Sequence, residues 1–315
     1  MLFETVLVSV VCVSYNDVQH LKRLFPSLEL QTFQDFEVIV VDNARNPEVN
    51  EYVLSIEIRK HRYLYVPNVN EGYPGGNVRG VQRANGDLVL ILNPDTIVEE
   101  NAIENLVKDF STRSRDVMVL VPKIMIRESD IINSIGMKRI RPSENLYTNI
   151  GYLEHDHGQF DASQKVQAFD GSAFMFRKEL LDHTYLFDSR YFFGNETVDL
   201  AERMTKLGFT AHTCPRAIIR HELRGTVTSS KQNDKITAII VRNSLIHTMR
   251  NMDRSMFIRT LFIGICFRNI FGRLITRHNP RAGVVYLRGL AMFVMQLGEF
   301  MADPSIKGHK YPKSG

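Results

Sequence analysis

The chain of 315 residues predicts an α/β protein: an open, mostly parallel sheet flanked by helices, with a C-terminal helical appendage. Three observations carry this. The segments LVSVVCVSY, EVIVVDN, DLVLILNPDT and VMVLVPKIM are near-continuous apolar runs, the pattern of strands buried on both faces. The stretches between them repeat apolar residues at helical spacing. After Lys235 the pattern is helical to about Met301.

In chain order, the first apolar run is followed by Asp17, a side chain suited to cap a helix whose Leu21, Leu24, Phe25 and Leu28 share one face. Pro26 lies inside that pattern and is expected to kink or shorten the helix. EVIVVDN and RYLYVPN follow as strands around a short helical stretch, and GGNVRGVQRAN predicts a helix opened by glycines. DLVLILNPDT is a fourth strand ending in a loop, residues 100–110 a helix, and VMVLVPKIM a fifth strand. Such alternation implies right-handed crossovers, and ligands of these sheets bind beyond the carboxyl ends of the strands. The polar tails SYND, VDN and NPDT should therefore converge on one crevice. From about Ile126 to Lys165 the pattern weakens, as for a long excursion or a small hairpin insert. It returns in VQAFDGSAFMF, FDSRYFFGNETVDLAERMTKLGF and TAHTCPRAIIRHE, and the polar tail past Met301 is expected to be disordered.

Composition, 44% hydrophobic and 23% charged, fits one large domain with an appendage or two small domains. A net charge of +4 is too modest to argue for nucleic acid, and the basic excess sits in the C-terminal third. Cys12, Cys214 and Cys266 lie in apolar runs without metal-ligand spacing, as expected of buried free thiols in a reducing compartment. The apolar start lacks the marks of a secretory signal, and no window reaches about 18 uninterrupted apolar residues, so the expected location is the cytoplasm.

Several side chains are candidates for chemistry. Asp95 in NPDT, with Asn93 two residues before it, could hold Mg²⁺ or Mn²⁺ and leave positions for diphosphate oxygens, or simply form a turn. Asp42 ends a strand and could accept from a ribose or base, or brace an Asx-turn. Gly72, Gly75, Gly76 and Gly80 surround a helix start that would let backbone approach a phosphate. The segment lacks GxxxxGK[ST], and SYND follows the first strand in place of GxGxxG, against an NTPase and a nicotinamide enzyme. Glu196 and Asp199 are three apart, on one face of a helix that starts this early, and either suits a general base or a helix N-terminus. His221 ends a strand and is a metal ligand or a partly buried histidine.

The order of these pieces is more specific than any one. VSYN, VVDN, N-x-G-x-x-G-G-N-x-R-G, GD-x-V-x-x-LNPDT, FD-x-x-x-F, E-x-x-DL-x-x-R-x-x-x-x-G and H-x-x-x-G-T together resemble glycosyltransferase family 2 over roughly Val6 to Arg250, with rhamnosyltransferase-like members closest. The resemblance implies the GT-A fold and inverting sugar transfer from a nucleotide-diphosphate donor. It implies that Ser14, Tyr15 and Asn16 line the nucleotide pocket and that Asp42 contacts base or ribose. Asn70, Gly76, Asn77 and Arg79 match the segment beside the donor. Asn93 and Asp95 match the metal-binding Asp-x-Asp, and His221 a histidine that reaches metal or diphosphate. Two positions depart from the family. Asn93 replaces an aspartate, leaving one formal charge, and Thr197 stands where Glu-Asp-x-Asp-Leu has its second acid. Glu196 is then the expected base, with Asp199 the other candidate.

The resemblance and the pattern together predict a catalytic domain over 1–250, its nucleotide half about 1–125 and its acceptor half about 126–250, then a helical region 251–301 and a tail 302–315. The expected partners are a dTDP- or UDP-sugar and a saccharide or lipid-linked acceptor, in bacterial cell-surface polysaccharide or glycolipid synthesis, with rhamnosyl transfer first. No nucleic acid is expected. The rivals are a catalytically weak donor-binding or scaffold homologue, motivated by Thr197, and a nucleotidyltransferase. Ser255–Arg277 and Val284–Phe300 are apolar with basic edges, Arg259, Arg273 and Arg277 on one side of the first and Arg288, Gln296 and Glu299 on one side of the second. They suggest a peripheral contact at the inner face of the cell membrane, or else packing on the catalytic domain or a homodimer.

Overall fold

The computed structural model describes residues 7–56, 61–141, 146–222, 230–276 and 280–301. Strands and helices alternate through the first part of the chain: β1 (Val8–Ser14), α1 (Val18–Glu29), β2 (Phe36–Asp42), α2 (Pro47–Ile56), β3 (Arg62–Pro67), α3 (Gly72–Val81), β4 (Leu88–Leu92), β5 (Thr96–Val98), α4 (Ala102–Thr112) and β6 (Val117–Ile126).

A small excursion comes next, β7 (Ile132–Ser134), β8 (Met137–Arg141), β9 (Leu146–Asn149) and β10 (Lys165–Val166), before β11 (Ala173–Arg177), α5 (Glu196–Lys206) and β12 (Thr210–His221). The C-terminal region holds α6 (Ser230–Asn251), α7 (Arg254–Arg259), a π-helical stretch Thr260–Thr276 and α8 (Pro280–Met301). Gly225 and Thr226, Arg277 and the tail 302–315 lie outside the described residues, as do the side chains of Arg268 and Arg273.

The main sheet runs β10-β12-β6-β11-β4-β1-β2-β3, with β5 on β12 and β7 on β6. β3, β2, β1 and β4 are parallel, β11 is antiparallel to both β4 and β6, and β12 runs parallel to β6. This is an open, mostly parallel sheet flanked by helices. The central strands are apolar throughout because both faces are covered. On one face Val8, Val10 and Cys12 pack with α1, α2 and α4; on the other Val11, Val81 and Val89 pack with Leu200 and Met204 of α5. Each such side chain stabilises the fold by about 1.5–3 kcal/mol relative to exposure. β8 and β9 pair antiparallel as a separate two-stranded sheet within the excursion.

Two expectations need correction. α1 is not shortened at Pro26 but continues through it to Glu29. Pro26 and Lys22, whose carbonyl loses its helical partner, are both exposed, while Leu21, Leu24, Phe25 and Leu28 are buried and hold the helix on the sheet. The helix after β3 starts at Gly72, ahead of the GGN segment. Gly72 has φ +73, and a Cβ there would run into the Phe192 carbonyl, so only glycine lets the loop before α5 approach.

The C-terminal helices pack on the rest of the chain through α6. Val241, Leu245 and Ile246 of α6 cluster with Tyr191, Ile265 and Phe293. α8 approaches α6 closely at Gly289, where a Cβ would lie 2.6 Å from the Ala238 carbonyl. The expected polar side of α8 is also corrected, because Gln296 turns inward and accepts from Arg242 Nη1 at 3.3 Å. Val284, Leu287, Val294 and Met295 are exposed instead. Among the described residues no helix is long and apolar enough to cross a membrane.

Candidate active site

The parallel register puts the carboxyl ends of β1, β2 and β4 on one edge: Ser14 lies opposite Asp42, and Cys12 opposite Leu92. The tails of these strands do converge there. Beside them is a cavity of about 410 Å³, lined by Asn93, Asp170, Glu196, Thr197 and His221 among others.

Glu196 opens α5, and the preceding Asn195 is left-handed at φ 70. Its carboxylate is buried, with Oε2 lacking any hydrogen-bond partner. Burial pushes its pKa up to about 7; the backbone N–H groups of Glu196 and Gly194 pull the other way, and the charges of Asp170 and Asp199 add to the rise. The group therefore changes charge near neutral pH.

Asp199 is placed differently. It is absent from the cavity lining and is 1% exposed. It accepts from Arg203 Nε at 2.8 Å, Tyr191 Oη at 3.0 Å and Asn251 Nδ2 at 2.6 Å. Burial alone would raise its pKa, but Arg203, His247 and Arg250 outweigh it and hold the carboxyl below the usual carboxylate range. A carboxylate so occupied holds α5 to α6 and is poorly suited to take a proton, which corrects the expectation that the two acids serve one face.

Asp95 and His221 meet because β5 pairs antiparallel with β12, setting Thr96 opposite His221. Asp95 Oδ1 is 3.3 Å from His221 Nε2. That oxygen is buried and makes no aligned hydrogen bond. Burial pulls the imidazole pKa down, but Asp95, with Asp170 and Glu222 behind it, outweighs burial and raises it. Asn133 Nδ2 stands 3.3 Å from His221 Nδ1 and fixes the ring's other side. Among the described residues no group of three or more His, Cys, Asp and Glu could hold a metal ion. An aspartate oxygen that lacks an aligned hydrogen bond, a facing imidazole and the nearby Asn93 nevertheless fit a divalent cation whose remaining ligands come with a substrate.

Asp95 itself is not in the cavity lining and meets it through His221; the other expected residues lie apart from this cavity. Ser14 is buried with an unpartnered Oγ, Tyr15 is exposed, and Asn16 is left-handed at φ 55. Asp42 is wholly buried and braces its own loop, accepting from Ala44 N at 3.0 Å, Asn46 N at 2.6 Å and Tyr65 Oη at 3.0 Å. That is the turn-bracing alternative, and it leaves the carboxylate little capacity for a ribose. Asn70 Oδ1 accepts from Gly72 N, and Asn77 Nδ2 returns to the Tyr73 carbonyl. Gly76 lets α3 lie on β1, where a Cβ would come 2.7 Å from Val13 Cγ1. Arg79 is exposed and pairs with Glu71 at 3.4 Å.

Sequence reasoning missed Asp170, Tyr73, Tyr147, Phe193 and Ser244 as parts of the lining. Asp170 accepts from Ser172 N at 2.8 Å and stands where FDGS turns into β11. The D-G-S triplet was a legible turn signal. Tyr147 comes from the excursion, where no periodicity marks it, and Ser244 from a helix distant in sequence.

The sequence matches the model of glycosyl transferase family 2 over residues 9–184, more than half of the chain. The chain belongs to that family. It is 23% identical over 211 residues to a low-salt glycan biosynthesis hexosyltransferase of Haloferax volcanii, covering 65% of this chain and 64% of that protein. It is 23% identical over 232 residues to the N-acetylglucosaminyl-diphospho-decaprenol L-rhamnosyltransferase of Mycobacterium tuberculosis, covering 67% and 75%. The crystal structure of GalNAc-T7 with UDP, GalNAc and Mn²⁺ superposes with a TM-score of 0.64 at 16% identity, covering 93% of this chain and 57% of that one. The fold is thus GT-A-like. The chain spans less than two thirds of the length of the Haloferax protein and of GalNAc-T7.

The Glu196 environment has a consequence for stability. A carboxyl whose folded pKa lies above its ordinary 4.5 binds its proton more tightly when folded, so stability falls as pH rises from that value towards about 7. The deficit reaches about 3 kcal/mol above that window, at about 1.4 kcal/mol per pKa unit. Glu196→Gln removes the ionisation, and its gain in unfolding free energy over the parent should grow between about pH 5 and about pH 8. Urea unfolding of both proteins across that range measures it; a difference independent of pH would contradict the buried, raised carboxyl.

Proposed function

We propose that this chain is an inverting glycosyltransferase that moves a sugar from a nucleotide-diphosphate donor to an acceptor hydroxyl, assisted by Mg²⁺ or Mn²⁺. The observation that carries the reading is Glu196: a buried carboxylate with a free oxygen, a pKa pushed up to about 7, and the same cavity as Asn93 and His221. Poised near neutrality, Glu196 takes the proton of the acceptor hydroxyl as that oxygen attacks the anomeric carbon. The new C–O bond forms while the bond to the diphosphate oxygen breaks and leaves its electron pair there. One displacement inverts the carbon, so no enzyme nucleophile is required. Asp95 and His221, with Asn93, would hold the cation, which when bound neutralises charge on the leaving diphosphate. Ser14, Tyr15, Asn16 and the α3 start, with Asn70, Gly76, Asn77 and Arg79, form the donor side, and Asp42 acts there by bracing its loop.

The donor is a UDP- or dTDP-sugar, with rhamnosyl transfer the first candidate, and the acceptor is a saccharide or lipid-linked saccharide of cell-surface polysaccharide or glycolipid synthesis. The Mycobacterium relative, whose name carries a diphospho-decaprenol acceptor, supports this, and GalNAc-T7 with UDP and Mn²⁺ supports the nucleotide and the metal. The nucleotidyltransferase alternative lacks its Gly-rich loop after β1, where Ser14-Tyr15-Asn16-Asp17 stands. The weak-homologue alternative, raised by Thr197, loses force because Glu196 has the environment of a base.

Glu196→Gln should lower kcat by about 100-fold or more with little change in donor affinity, the magnitude of lost proton transfer. In the parent, kcat/KM should rise with pH through about 7, as the base must be ionised to act. Donor consumption measured across pH tests both; an unchanged kcat removes Glu196 as the base. Activity should also vanish in excess EDTA and return with Mn²⁺ or Mg²⁺, and Asp95→Ala should not recover it. Full turnover in chelator would exclude the metal.

The C-terminal helices support a contact with the cytoplasmic face of a membrane. Ile258 is exposed on α7, Phe262 and Ile263 on the π-helical stretch, and Val284, Leu287, Val294 and Met295 on α8. Arg254, Arg259 and Arg288 are exposed among them, a charge pattern that suits anionic headgroups. The full chain should float with anionic vesicles, and the triple variant Phe262→Ser, Val294→Ser, Met295→Ser should remain at the bottom of the gradient. If neither floats and the full chain is a dimer in solution, the exposed face belongs to a homodimer.

A further inference from the structure

The segment that delivers Glu196 to the cavity has little support of its own. Phe192, Gly194 and Asn195 are left-handed, at φ 61, 81 and 70. Glycine adopts that conformation freely; a bulky phenylalanine there is an outlier that surrounding structure must hold. The segment links a short 3₁₀ turn, Ser189–Tyr191, to the start of α5 and has no ladder of its own.

Its carbonyls are nonetheless all engaged. Asn195 O accepts from Asp199 N within α5, and Phe192 O accepts from Tyr73 N at 2.9 Å. α6 takes the other four between Arg190 and Asn195. Asn243 Nδ2 lies 2.9 Å from Tyr191 O and Phe193 O and 2.7 Å from Gly194 O, so its two hydrogens serve three carbonyls and one of them is shared. Arg242 Nη2 donates to Arg190 O and Tyr191 O, both at 2.9 Å.

The orientation of the Asn243 amide is fixed as well. Its oxygen accepts from Arg242 Nε at 3.0 Å and Nη2 at 2.7 Å, so the nitrogen has to face the carbonyls. Asn243 is fully buried and Arg242 is 5% exposed, so water offers neither a substitute. The far end of the guanidinium reaches Gln296 of α8. The peptides held in this way include that of Gly194, and the N–H groups of Gly194 and Glu196 are the backbone donors to the Glu196 carboxylate. Ile240 and Ser244, on the same helix, line the cavity itself.

We propose that Asn243, oriented by Arg242, is a positioning residue that holds the 191–195 segment so that Glu196 enters the cavity at a fixed place. The inference rests on Glu196 being the base. It makes α6 part of the catalytic apparatus although that helix lies beyond residues 9–184, the part that matches the family. A small shift of a reacting group is enough to lose most of the rate, so the loss falls on kcat and spares donor binding.

The test is a double-mutant cycle with Asn243→Ala and Glu196→Gln in the full chain, read by kcat, donor binding by calorimetry and the acid limb of kcat/KM. Asn243→Ala should lower kcat by about tenfold or more and leave donor affinity within about twofold. The acid limb should move to lower pH by about half a unit or more, because relief of burial, the largest influence on the carboxyl, outweighs the weakened Gly194 N–H donor while Asp170, Asp199 and Tyr73 still face it. Glu196→Gln should cost much less in the Asn243→Ala background than in the parent. Asn243→Ser, which keeps one donor, should fall between parent and Ala in rate and limb, and it supplies the same readings if the Ala variant does not fold. Losses that multiply in full, or an unmoved limb, would overturn the inference. If Glu196→Gln alone leaves kcat intact, the base reading fails and takes the inference with it; if it lowers kcat while both Asn243 variants keep theirs, the inference fails alone.

Discussion

A buried polar pin at the amino end of the sheet fixes how β1, β2 and β4 line up at their other end. Glu37 of β2 is 4% exposed and accepts from Ser9 Oγ at 2.8 Å and Asn85 N at 2.7 Å, while Gly86 N donates to the same Ser9 hydroxyl at 2.8 Å. These contacts join β1, β2 and the turn into β4 where neighbouring positions are apolar and could slide. A slip of one residue would turn every side chain to the opposite face. With the register pinned, Ser14 faces Asp42 and the chain leaves β4 at Asn93, on the same edge. The shared edge of β1, β2 and β4 beside the cavity therefore depends on satisfying one buried carboxylate about five residues away in the strands.

The fold was legible because its central strands carry one signal, unbroken apolar runs, that has few other readings beside turn residues at both ends. The order of polar strand ends made the family legible too. The site was legible only where its residues are close in sequence to those ends. Asp95 and Asn93 fall in this class; Tyr147 and Ser244 do not, because they reach the cavity through β9 and α6 and nothing local distinguishes them from surface residues, and the turn signal at Asp170 does not say which cavity that turn meets. Asp199 is instructive. Its spacing from Glu196 suggested a shared face, yet Arg203 at i+4 was equally visible and forms the pair that removes Asp199 from the cavity.

The C-terminal helices show a related limit. A helical wheel sorts residues by side but does not say which side meets the protein. α8 has apolar residues on two sides, Phe293 in the cluster with α6 and Val294 and Met295 outward. A polar residue then faces inward wherever a buried partner needs it, as Gln296 does for Arg242. The sequence pattern favoured the outward placement because the partner is 54 residues away.

Thr197 takes on a different meaning in this setting. It is buried and lines the cavity next to Glu196. The like charges that already bear on Glu196 are Asp170 and Asp199, and the charge of Asp199 is largely met by Arg203. A second carboxylate at position 197 would stand beside Glu196 in the same low-dielectric wall and raise its pKa above the present value of about 7. Glu196 would then carry a proton across the neutral range, and the pair would share one ionisation between two sites. A threonine avoids that coupling. It leaves one titrating carboxylate at the cavity wall, whose affinity for a proton is set by burial, by the Gly194 and Glu196 N–H groups and by the charges of Asp170 and Asp199.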